Sequence, residues 1–110
     1  VAARSLLEKS LKILQELGER RGIALLLEQY GWLEALEHPH RAARLFGAVE
    51  ASLEKLRMCL PASMWADHEK SVALVCSQLD ELTLAAAWAE GRAMTVEEAV
   101  RYALGEVIPC

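Results

Sequence analysis

Around Pro39 the chain gathers two carboxylates and two imidazoles, Glu34, Glu37, His38 and His40. Such residues are metal ligands, but a site needs three or four of them in one geometry, and the proline makes joint chelation by His38 and His40 awkward. The group therefore reads as a solvated turn. Asp67-His68-Glu69 offers acid–base chemistry on paper, yet its placement within a helix makes an exposed polar face the simpler reading. Cys59 stands near a helix C-terminus, where the dipole opposes a thiolate, and Cys76 lies in an apolar run. No G-x-x-x-x-G-K-[ST] or G-x-G-x-x-G loop is present to cradle phosphate. No catalytic residue, metal or cofactor is assigned, and the expectation is a protein that is not an enzyme.

Binding chemistry is the remaining possibility. Trp32, Trp65 and Trp88 read first as core residues, with a groove or a dimer seam as the other use for such anchors. Trp32 is the choice for a groove, because Gly31 beside it promises open space. Glu28, Gln29 and Arg21 could line the same region, although a solvated face also accounts for them. These four residues make up the candidate partner-binding set.

The composition narrows the partner. The 110 residues carry 16 acidic and 12 basic groups, a net charge of −4, which is the wrong sign for non-specific nucleic-acid binding. Arg20-Arg21 and Arg41/Arg44 accordingly read as helix edges, and no direct DNA contact is expected. Val96-Glu97-Glu98 opens the last helix with two carboxylates, which phosphate would repel. No apolar run reaches the ~20 residues of a membrane span, and no secretory signal is seen. Three cysteines, odd in number and without a C-x-x-C pair, favour a reducing cytoplasm, with Cys76 in the core and Cys110 an exposed terminal thiol. The 54% apolar content is high for one small domain and suggests surface that meets a partner or a second copy. The start at Val1 suggests a fragment of a longer protein.

Six helices must position these residues. Apolar spacings of three and four predict helices over 2–17, 23–36, 39–58, 62–79, 82–90 and 96–104, with no strand-like alternation. Gly18 is expected to end the first as a left-handed cap, with Gly22 closing a short charged turn. Pro39 suits the first turn of the third helix. Gly91 is the expected terminator of the fifth, Thr95 to Glu98 a capping box on the sixth, and Gly105 its stop. Trp65, Val72, Leu74, Val75, Cys76 and Leu79 are the expected core of the fourth.

Ala2-Ala3-Arg4 recurs as Ala42-Ala43-Arg44, and Leu6-Leu7 as Leu45-Phe46. A period near ~40 residues, each unit two antiparallel helices, is the pattern of an α-solenoid. Residues 1–58 then form repeat helices and 61–104 a C-terminal cap, within a single domain.

Four segments resemble a known family: Gly22-Ile23-Ala24, Tyr30-Gly31-Trp32-Leu33, Arg41 through Ala48, and Ala86 through Thr95. It is the tetratricopeptide-like C-terminal region of large bacterial ATPase-type transcriptional regulators, some of which carry a LuxR-type DNA-binding domain or a nucleotide cyclase. The resemblance runs from Ala2 to Leu104, with Trp88-Ala89-Glu90-Gly91-Arg92-Ala93 its most specific part. It implies a cytoplasmic, non-catalytic protein-interaction module that couples partner or effector binding to distant ATPase or DNA-binding domains. A dimerisation module of the same parent is the alternative, and a direct DNA-binding helical domain the less favoured one.

Overall fold

Several helix ends follow from local chemistry. In this computed structural model, which describes residues 2–105, α1 spans Ala2–Leu17 and α2 spans Arg20–Glu34. Between them Gly18 takes φ +70°, a left-handed turn in which Gly18 N–H donates to Gln15 and Glu19 N–H to Leu14. Only two residues separate the helices, so α2 folds back along α1. Gly22, expected in this turn, lies inside α2 instead.

Pro39 sits at the start of α3 (Pro39–Leu56), where its missing N–H leaves nothing unpaired. Then follow α4 (Ala62–Gln78), α5 (Glu81–Arg92) and α6 (Val96–Ala103). The α6 capping box is complete: Glu98 N–H donates to Thr95 Oγ1, and Thr95 N–H donates to Glu98 Oε1. Gly105 is again left-handed just beyond α6. Among the described residues all regular structure is helical.

Helix α3 divides the core. On one side Leu45, Ala48 and Val49 pack with Leu11 of α1, Ile23, Leu27 and Tyr30 of α2, and Ala99, Val100 and Ala103 of α6. On the other, Ala42, Ala43 and Phe46 pack with Ala35, Val75 of α4 and Ala87 of α5. The α3–α5 approach is the tightest in the molecule, because two glycines face it. A β-carbon at Gly47 would strike the Trp88 carbonyl, and one at Gly91 the Arg44 carbonyl. Gly91 therefore lies within α5 rather than ending it; its use is close backbone packing.

Helix α4 is the exception. Only Ser71 and Val75 of its residues are buried. Leu74 and Cys76, expected in the core, are exposed, and Trp65 is 44% exposed. A run such as Leu74-Val75-Cys76 has no helical phase of its own, and the structure chooses the i,i+4 pair Ser71 and Val75 as the inward edge. Cys110, read from sequence as an exposed terminal thiol, lies outside the described residues.

Candidate binding cleft

Because α4 is attached so lightly, a cleft of about 450 Å³ opens beneath it. Its floor is α3, from Phe46 and Val49 to Leu53; one wall is Trp65 and His68 of α4, the other Trp88 of α5. The connector Met58-Cys59-Leu60 closes one end, and Glu28 of α2 also lines it.

The aromatic rings form a row. Trp65 and His68 meet edge-on with centroids 5.6 Å apart, His68 and Phe46 likewise at 5.6 Å, and Phe46 and Trp88 lie tilted at 6.0 Å. Phe46 can stand there because Gly31 on α2 has no side chain; a β-carbon at 31 would run into the Phe46 ring. The open space that Gly31 promised to Trp32 is thus filled by Phe46.

Glu28 is fully buried, not part of a solvated face. Its Oε2 accepts from Trp32 Nε1–H at 2.7 Å, and His68 Nδ1 lies 2.7 Å from the same oxygen. Its Oε1 has no hydrogen-bond partner in the protein. His68, expected on an exposed face, is half-buried and fastens α4 to α2. At the far end of α4, Gln78 Nε2–H donates to the Ala35 carbonyl at 2.9 Å. Two polar contacts thus hold a helix that has little apolar burial of its own.

At the rim one arginine is shared by two carboxylates. Arg92 bonds Glu50 at 2.6 Å and Glu54 at 2.8 and 3.0 Å, and Trp88 Nε1–H also donates to Glu50. The Arg92 hydrogen bonds hold the Glu54 carboxyl below its ordinary range. Arg57 stands beside them with φ +53°, the one left-handed non-glycine among the described residues.

Of the four residues proposed from sequence, Glu28 alone lines the cleft. Trp32 lies behind it, half-buried and bonded to Glu28; Gln29 is half-buried and Arg21 exposed, both away from the lining. Trp65, Trp88 and His68 belong to the cleft, although sequence ranked the first two as core and the third as surface. One signal was available for the site: Glu28 and Trp32 stand at i,i+4 on one helix.

Among the described residues, no three His, Cys, Asp or Glu side chains converge as a metal would require, and no helix is long and apolar enough to cross a membrane. A search of protein-family models, of curated proteins and of solved structures finds nothing that matches the chain.

Proposed function

We propose that the chain is a non-catalytic helical-repeat module of a bacterial signalling or transcriptional regulator, and that the cleft under α4 receives its effector or partner. The observation that carries this reading is the cleft: an aromatic-walled cavity of about 450 Å³ holding a buried carboxylate with one unpartnered oxygen. Concave apolar sites with a few placed polar groups are the usual form of a ligand site. The mechanism is a population shift. A ligand that contacts α4 as well as α3 and α5 favours one seating of α4, and a helix held by so little apolar burial is cheap to reseat.

The tetratricopeptide-like solenoid belongs to this reading. Its supports are the folding of α2 back on α1, the backbone-close stacking of α5 on α3, and the Ala-Ala-Arg recurrence. Helix α6, returning to α2 and α3, fits a cap. The cytoplasm as location rests on the free, exposed thiols Cys59 and Cys76.

Cys59 gives the test, since it lines the cleft and is exposed. With Cys76 and Cys110 replaced by Ser, a bulky maleimide on Cys59 should obstruct the cleft. A thermal-shift screen of small molecules and apolar peptides should then yield compounds that raise the Tm of the unlabelled chain and not of the labelled one. A screen in which every stabilising compound works equally on both would overturn the reading.

One observation favours self-association as a second reading. Leu6, Ile13 and Leu17 fall on one face of α1 and are 65%, 57% and 74% exposed. Sedimentation should show dimer at high micromolar concentration, reduced by Ile13→Lys; monomer alone would end this reading.

A further inference from the structure

The chemistry inside the cleft narrows what it can hold. Glu28 lines the cleft but is closed to solvent as α4 is seated, and both protein partners converge on Oε2, leaving Oε1 without a donor. A buried acceptor left unmade is costly, so a ligand carrying an N–H donor gains more here than at a surface carboxylate. Beside it run the rings of Trp65, His68, Phe46 and Trp88. The faces of Trp and Phe carry negative quadrupole potential, which attracts cations and accepts flat apolar groups. The other titratable groups facing the space are Glu50 and Glu54, already engaged by Arg92, together with the Cys59 thiol, Arg57 at the rim and His68 itself. An anionic ligand would meet the Glu28 carboxylate, which no arginine or lysine offsets. A neutral apolar one would leave Oε1 unanswered.

We propose that the cleft binds a small protonated aryl-alkyl amine, its ring among Trp65, Phe46 and Trp88 and its ammonium reaching Glu28 through a small reseating of α4. This rests on the reading of the cleft as a ligand site and adds the ligand's charge and shape.

Three probes of matched size test it: 2-phenylethylamine, 2-phenylethanol and phenylacetate, titrated at pH 7 against tryptophan fluorescence and checked by calorimetry. The amine should bind at least about tenfold more tightly than the alcohol, with phenylacetate weakest. Glu28→Gln keeps an acceptor oxygen for Trp32 but removes the charge. It should bring the amine down to the level of the alcohol while leaving alcohol binding unchanged, which also reports that the variant is folded. Should that variant fail to fold, the ranking of the three probes on the native chain still decides. Alcohol or phenylacetate binding as tightly as the amine would overturn the inference and leave the cleft a ligand site of other chemistry. No binding of any probe up to about 10 mM would also overturn it. The broader reading would then stand or fall on the Cys59 screen, which includes peptides.

Discussion

Glu28 and Glu34 lie on the same helix and both are buried, but α2 treats them in opposite ways. Glu34 is surrounded by fixed cations. Arg4 of α1 reaches Oε1 at 2.8 Å, Arg41 of α3 stands 3.5 Å from Oε2, and His38 lies 4.0 Å away. Arg41 is itself held, donating to the Tyr102 carbonyl and stacking over the Tyr102 ring at 4.5 Å. Glu28 has no arginine or lysine among its hydrogen-bond and ion-pair partners, only an indole N–H and an imidazole. Each carboxylate has one oxygen without a hydrogen bond, but Oε2 of Glu34 has the Arg41 guanidinium at 3.5 Å, whereas Oε1 of Glu28 has no ion-pair partner. Burial alone does not separate a structural carboxylate from a binding one; the partners do. Glu34 joins three helices, whereas Glu28 borders an opening.

The largest way to break this contrast is Glu34→Leu. It removes the acceptor of Arg4 and the ion-pair partner of Arg41, which keeps its bond to the Tyr102 carbonyl; losing a partner costs about 3–5 kcal/mol when the charges are fully buried. Arg4 and Arg41 keep part of their hydration, so a loss of about 2–3 kcal/mol is expected, read as a lower urea midpoint at unchanged m. A loss below about 0.5 kcal/mol would show that Glu34 is no more structural than a surface group.

Tyr30 sharpens the contrast next. It lies between the two carboxylates in sequence but belongs to the Glu34 side. Burial first, then Glu8 and more weakly Glu34, push its phenol from 10.0 up to about 12, with Arg4 pulling the other way. The folded state thus favours the protonated phenol more than the unfolded chain does. Its contribution is complete below pH 10 and is lost as the pH climbs through about 12. Urea unfolding at pH 9 and 11, compared with Tyr30→Phe, should show the steeper alkaline decline only in the native chain. Parallel declines would remove Tyr30 from the account. Its hydroxyl has no hydrogen-bond partner, so Tyr30→Phe should cost less than about 1 kcal/mol at neutral pH.

The stability side of Glu28→Gln is smaller. Its amide retains an oxygen for the Trp32 N–H, and no fixed cation is stranded, so the urea midpoint should shift by less than about 1 kcal/mol in either direction. A loss equal to that of Glu34→Leu would mean that Glu28 is a structural carboxylate too.

How these residues read in the sequence explains why the site was only half legible there. The helices, the left-handed stops at Gly18 and Gly105, and the capping box at Thr95 follow from local chemistry, and the structure has them. Helix α2 defeats a one-stripe reading because α1, α3, α4 and α6 all pack on it, so a polar face by pattern becomes interior. Glu28 turns to α4 and Glu34 to α1 and α3, so neither is left to solvent. Gly31, Gly47 and Gly91 are ambiguous for a related reason: whether a glycine ends a helix or admits a neighbour depends on a partner distant in sequence, Phe46, Trp88 or Arg44. His68 is found only when α4 is laid across Glu28, forty residues away.

Arg57 gives the smallest effect and the finest test. It closes α3 with the same pair of bonds that Gly18 makes after α1: Arg57 N–H to Glu54 at 3.2 Å, and Met58 N–H to Leu53 at 3.0 Å. Gly18 enters the left-handed region freely, while Arg57 does so at a cost of about 1 kcal/mol. Nothing near Glu34 shows such backbone strain, but the cleft beside Glu28 does, and strain of this kind gathers at functional sites. Arg57→Gly should therefore stabilise the fold by about 0.5–1 kcal/mol. It also removes a cation from the rim. A screened charge of that kind is worth less than about 1 kcal/mol, so 2-phenylethylamine should bind up to about fivefold more tightly, with 2-phenylethanol unaffected. Greater stability with unchanged amine binding would place the strain at the cleft without a part in recognising charge. Lower stability would mean that the Arg57 side chain packs more usefully than its backbone is strained.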